Sequence, residues 1–289
     1  MSKITRRGFL AGVTAAAAGA STFSGRIALA TATQGAVAGS DLVPLGNTGL
    51  ESTVLGLGSG TRGGREQRDL EQDGFTRLFR YALDRGVRYI DTADSYNTHA
   101  MVRRALQGVP RDDYFLLTKT RSRDADGARA DLDRFRRELG VEHFDVMLMH
   151  CMTEGDYPTA MQGVMDVLSE AKEKGITRAV GVSCHGWDPL CASADCHWND
   201  VHLVRINPFG TRMDGPPSEV AGQIAKMHGQ GRGILGMKIF SEGDCDTRQK
   251  RLESLRYVLG LGTVHAFTIG FGSTAQIDET LALIEEATA

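Results

Sequence analysis

Beyond its first thirty residues the sequence has no uninterrupted apolar run long enough to cross a bilayer, which argues against a stable membrane insertion. Cysteine is sparse and irregular: Cys151, Cys184, Cys191, Cys196 and Cys245 are odd in number and show no disulfide framework. Three of them crowd residues 184–197 together with His185 and His197. Their spacing matches neither a paired C-x2-C zinc site nor a ferredoxin-like run, so no metal site is expected. Excess positive charge is missing as well. The 33 Lys and Arg stand against 36 Asp and Glu, a net charge of −3 and a poor match for nucleic acid, whose affinity is dominated by phosphate contacts. The G-x-G-x-x-G turn of an open doubly wound sheet is also absent, since Gly56-Leu57-Gly58-Ser59-Gly60 lacks its spacing.

What is present is ordinary globular material, 41% hydrophobic and 24% charged residues, enough for a sizeable core. The first thirty residues read separately. Arg6 and Arg7 precede Phe9 and Leu10, an alanine-rich stretch follows, and Ala28-Leu29-Ala30 offers small residues for cleavage. This order resembles a twin-arginine (Tat) export signal, which implies delivery by the Tat machinery to the periplasm or beyond, with a mature chain starting near Thr31. Loss of residues 1–30 removes Lys3, Arg6, Arg7 and Arg26 and no acid, so the net charge moves from −3 to −7. Residues 31–41 read as a linker and residues 42–289 as one folded domain.

From Leu42 onward, short apolar and β-branched runs alternate with segments of helical period. Val54–Gly58, Val87–Asp91, Phe115–Lys119, Phe144–His150, Arg178–Ser183, Leu203–Asn207, Ile234–Ile239 and Ala266–Ile269 read as strands. Between the first two, Phe75, Leu78, Phe79, Ala82 and Leu83 recur at i, i+3, i+4, i+7 and i+8 and mark an amphipathic helix. Glycine stops several helices just before the next strand, at Gly86, Gly140, Gly175 and Gly233. Apolar strands separated by helices predict parallel pairing and burial on both faces. A (β/α)8 barrel takes about 250 residues, and 31–289 supplies 259. The expected fold is therefore α/β, a single-domain (β/α)8 TIM barrel.

Barrel chemistry gathers at the C-terminal ends of the strands. Three successive strands end in titratable residues, Asp91, Lys119 and His150, and Tyr96 follows Asp91 by five positions. Each alone reads equally well as structure, an ion pair or a core histidine. Together on adjacent strands they suit one reaction. A carbonyl that accepts hydride develops negative charge on oxygen and needs a proton donor in place. Tyr96 would donate, an adjacent Lys119 ammonium would lower its pKa, Asp91 would orient the lysine, and His150 would hydrogen-bond the carbonyl oxygen.

At these residues the sequence resembles the aldo/keto reductase family. VPLGNTGLESTVLGLGSGT looks like its opening hairpin and first strand, RYIDTADSYNTHAMVRRAL like its D-T-A-x-x-Y segment, and FLLTKT like its T-K strand. LGVEHFDVMLMH resembles the strand ending in histidine, and KEKGITRAVGVSCH, GILGMKIF and TIGFGSTAQIDETL resemble later blocks, in family order. The resemblance implies an NAD(P)H-dependent oxidoreductase of small carbonyl substrates, with Tyr96, Lys119, Asp91 and His150 catalytic. It also implies cofactor contacts at Gly58, Ser59, Ser183, Cys184, Arg205, Met237, Lys238, Phe240, Gly272, Ser273, Gln276 and Glu279.

The sequence departs from the family pattern at several of these. Ser183-Cys184 stands for Ser-Asn, Arg205 for a glutamine, and Met237 for the residue that stacks on nicotinamide. Gly270 and Gln276 stand where basic residues commonly meet the 2′-phosphate, so NADP(H) is the family default and NAD(H) stays open. Asn97 and His99 replace Gly and Glu after Tyr96. Trp187 and Trp198 read as a substrate wall or as barrel packing, and Arg205–Gly215 as a loop that selects substrate. A cofactor-binding sensor that lost turnover remains the second class of reading.

Overall fold

In a computed structural model the structure describes residues 37–289; the expected export signal at 1–30 lies outside them. A hairpin of β1 (Leu42–Pro44) and β2 (Glu51–Thr53) precedes the barrel. The barrel strands are β3 (Leu55–Gly58), β4 (Tyr89–Asp91), β5 (Phe115–Thr120), β6 (Phe144–Met152), β7 (Thr177–Cys184), β8 (Val201–Arg205), β9 (Gly233–Met237) and β10 (Ala266–Ile269). All pair in parallel in sequence order, and β10 closes on β3. Around them lie α1 (Arg65–Arg68), α2 (Glu71–Asp84), α3 (His99–Ala105), α4 (Ala125–Leu139), α5 (Tyr157–Ala160), α6 (Gln162–Glu173), α7 (Trp187–Asp195), α8 (Pro217–Gly229), α9 (Arg248–Gly260) and α10 (Thr274–Thr288). Among the described residues no helix is long and apolar enough to cross a membrane.

Strand alternation divides the apolar residues into two cores. Tyr89, Phe115, Leu117, Val146, Leu148, Val201, Leu203 and Leu235 fill the barrel, where Leu45 and Leu50 of the hairpin join them. The opposite parity, including Ile90, Leu116, Met147 and Val182, packs against the helices. Phe75, Phe79 and Ala82 of α2 are buried there as their spacing predicts. Val37–Asp41, read as the end of a linker, is tied to the domain: Gly39 and Asp41 carbonyls accept from the Leu55 and Val54 N–H groups.

Several strand boundaries shift by one or two residues from those expected, β4 starting at Tyr89 and β9 ending at Met237, and two of the shifts have a visible cause. β8 runs over Val201–Arg205, two residues earlier than expected, because Asn207 bends the chain. Its Nδ2 donates to the Thr211 and Lys238 carbonyls, and its Oδ1 accepts from Phe209 N–H. β6 continues past His150 to Met152 through a break in register after Met149, where Cys151 takes φ 61°.

Candidate active site

Asp91, Lys119 and His150 have the parity of the interior residues Tyr89, Leu117 and Leu148, two positions before each. Alternation therefore turns all three into the barrel mouth. Lys119 Nζ lies 2.7 Å from Asp91 Oδ1, donates to the Thr92 carbonyl at 2.9 Å, and reaches Tyr96 Oη at 3.4 Å. Tyr96 rides on a single 3₁₀ turn, Asp94–Tyr96, which ends at Asn97 with φ 55°. Arg134 of α4 holds that turn through Asp94 Oδ1 at 2.7 Å. The Tyr96 ring packs on Gly60, where a Cβ would lie 2.4 Å from it. His150 stands edge-on to Tyr96, ring centroids 5.5 Å apart, with Nδ1 3.3 Å from Ser95 Oγ.

Burial sets the protonation states. It pushes the Lys119 pKa down and that of Asp91 up, and each charge opposes the shift of the other. The Tyr96 phenol is raised well above its ordinary value, first by burial and then by Asp91. The net shift is thus the reverse of the one expected from an adjacent Lys119: burial outweighs the ammonium, which at 2.7 Å is paired with Asp91 and stands farther from the phenol. Tyr96 thus keeps its proton, as a donor must. Burial and the nearby Lys119 pull His150 down to about 2, so its imidazole is neutral near pH 7.

Beside Tyr96 a cleft of about 380 Å³ runs from Asp91, Met237 and Leu203 out to Arg251, Gln276 and Glu279. Gly58, Lys238, Phe240 and Gly272 also line it. Two lining groups, Thr268 Oγ1 and Arg251 Nε, are buried without a partner among the described residues. The N-terminus of α10, capped by Ser273, opens near Gly272, where helix N–H groups favour an anion. Orphaned polar atoms, an apolar end and a helix N-terminus fit a dinucleotide.

The sequence profile of the Aldo/keto reductase family matches residues 54–226. The chain belongs to that family. An aldo-keto reductase of Mycobacterium sp. (strain MCS) is 33% identical over 186 residues, covering 61% of this chain and 55% of the relative. With a relative from Mycolicibacterium vanbaalenii, 36% identical, the match covers 45% of this chain and 44% of that one, so the chain spans about half the length of these curated relatives. L-Galactose dehydrogenase of Arabidopsis thaliana is 22% identical and matches over 85% of this chain and 88% of its own. Among solved structures, a Bacillus halodurans aldo-keto reductase in its holo form superposes with a TM-score of 0.71 at 18% identity. It covers 85% of this chain and 91% of that one, and shows the same fold.

Not every position expected from the aldo/keto reductase pattern reaches the cleft. Cys184 has the outward parity, and its Sγ donates to the Pro189 carbonyl behind the barrel. Ser183 points inward, but its Oγ accepts from Cys151 N–H. Ser59 Oγ donates to the Asp91 carbonyl and bonds Thr98, which braces the Asp91 strand end. Arg205 is held by the buried Asp214. Trp198 donates to Ser169 in the outer layer, whereas Trp187 packs against Gly215 of the Arg205–Gly215 loop.

Two further cleft residues, Arg251 and Glu242, carry no sequence signal of their own. Arg251 grips both oxygens of Glu279, at 2.9 and 3.2 Å, and Glu242 ties Lys238 at 2.8 Å to Arg212 at 3.0 Å. Arg251 and Glu279 come from different helices, so no local pattern joins them. The left-handed φ values of Lys238 and Glu242 are likewise invisible in sequence.

Proposed function

We propose that this protein reduces an aldehyde or ketone to an alcohol, or runs the reverse reaction, with NADP(H) or NAD(H). The observation that carries the reading is the Lys119 ammonium bridging Asp91 and the Tyr96 hydroxyl at one end of the cleft. A reduced nicotinamide bound in the cleft supplies the hydride. Tyr96 delivers a proton to the carbonyl oxygen as charge develops there, and Lys119 stabilises the phenolate left behind. Neutral His150 keeps one N–H to orient that oxygen. Met237 and Phe240 offer packing for a ring, and the α10 N-terminus and Arg251 suit phosphate. Arg251 is already paired with Glu279, which leaves NADH as compatible as NADPH. The intact donor cluster favours turnover over the sensor role.

Tyr96→Phe tests the reading. It should remove carbonyl reduction by at least about a hundredfold while leaving dinucleotide affinity, measured by fluorescence quenching, nearly unchanged. Equal loss of both would make Tyr96 a structural residue. We also propose Tat-dependent export, supported by Arg6-Arg7 and Ala28-Leu29-Ala30, with the dinucleotide carried out on the folded protein. N-terminal sequencing of exported protein, with Thr31 expected first, checks it.

A further inference from the structure

His150 does not line the dinucleotide cleft; it stands beside Tyr96 with Ser95 and His185, whose ring centroid lies 6.4 Å from its own. A carbonyl compound held by His150 and Tyr96 must therefore approach from this flank. The loop after β5 brings two arginines to it. Arg123 Nη2 donates to the His150 and Cys151 carbonyls at 2.9 and 3.3 Å and Nη1 to the Arg121 and Ser122 carbonyls at 3.1 and 3.4 Å, which engages both Nη groups and fixes the guanidinium, with the Arg121 backbone, on the strand end that carries the imidazole. Arg121, two residues earlier, makes no side-chain hydrogen bond or ion pair among the described residues and is exposed. Its charge opposes protonation of His150 and of His185 and disfavours the neighbouring Arg123 cation, so the charges converge there.

Three acids of the neighbouring segments are committed elsewhere. Asp94 is held by Arg134, Asp131 accepts from Thr120, Ser122 and Arg134, and Asp124 caps α4 through Gly127 N–H. By contrast, the other cations of the mouth, Lys119, Arg205, Arg212 and Lys238, each face a carboxylate. Arg121, left without a partner among the described residues, offers a free guanidinium fork to an oxyanion, and the fixed Arg123 adds its charge beside it. We infer that the substrate carries a carboxylate or phosphate near its carbonyl, held by Arg121 in the field of Arg123. This rests on the carbonyl-reductase reading.

The test compares succinic semialdehyde, glyceraldehyde 3-phosphate and uncharged butanal as substrates of the full chain, in wild type, Arg121→Gln, Arg123→Gln and Arg121→Lys. Wild type is expected to favour a charged aldehyde by about tenfold or more in kcat/KM, chiefly through KM, and less so at high salt. Arg121→Gln should lose most of that ratio, Arg123→Gln a smaller part, and Arg121→Lys should keep part of it. Which charged aldehyde leads identifies the anion. A ratio near one in wild type, or one unmoved in Arg121→Gln, overturns the inference. Calorimetric titration of succinate against succinamide gives a readout without turnover: succinate should bind wild type and weaken about tenfold in Arg121→Gln. If no aldehyde is reduced the reductase reading fails, and the succinate titration alone decides the arginine site.

Discussion

Lys119 is fully buried, and its charge is tolerable only because Asp91, Thr92 and Tyr96 surround it. Removing one partner leaves the other charge unpaired in the barrel. Lys119→Met should abolish reduction and destabilise the fold by roughly 3–5 kcal/mol, the cost of breaking a buried pair. Adding Asp91→Asn to that variant should recover much of the stability and none of the activity, read by urea unfolding and by turnover. Were the double variant as unstable as the single one, unpaired charge would not be the cause. Three of the four catalytic candidates were legible in sequence because each is a costly residue at the end of an apolar strand; Tyr96, in the turn after β4, was legible through the D-T-A-x-x-Y segment. The direction of the Tyr96 shift was not legible: it is set first by burial and then by the Asp91 charge.

At the scale of elements, α4 links local sequence to the site. Asp124 caps it by accepting from Gly127 N–H at 2.8 Å, and Gly140 ends it at φ 70°. The exposed Asp124→Ala should cost about 1 kcal/mol, the usual worth of an N-cap, seen as a lower urea midpoint; an unchanged midpoint would mean that packing alone holds the helix end. The same helix supplies Arg134 to the Tyr96 turn, a link that no pattern within α4 announces. Strand parity explains both a success and a limit of the sequence reading. It carries Asp91, Lys119 and His150 inward, and by the same rule carries Cys184 outward, although Ser183-Cys184 reads as one cofactor-gripping pair. The end of β8 was misplaced because Asn207 turns the chain with its own side chain.

For the molecule as a whole, the barrel's tight burial makes acid a hazard. His202, on β8, is 1% exposed with both ring nitrogens unpartnered among the described residues, and burial lowers its pKa to about 3. The unfolded chain, with a histidine near ~6.5, takes up this proton first. The contribution of His202 to stability is therefore fully present above that value and is lost as pH falls toward about 3. The slope is on the order of 1 kcal/mol per pH unit. His202→Leu should flatten that part of the curve and raise stability at pH 4 to 5, measured as urea midpoints across pH; an unaltered slope would show that His202 does not couple to unfolding.

Alternation of apolar residues, helical periods and the glycine stops at Gly86, Gly140 and Gly175 were enough to determine a parallel α/β barrel and the strand ends that hold its candidate site; Gly233, expected as a stop, opens β9 instead, and Gly231 takes the positive φ. These are local signals, each read within a few residues, and the parity of a strand fixes which way its last side chain faces. Contacts between distant segments decided the rest: Arg251 on Glu279, Glu242 across three loops, and Arg123 on the strand end of His150. Such pairings depend on which loops closure of the barrel brings face to face, and that is a property of the folded chain.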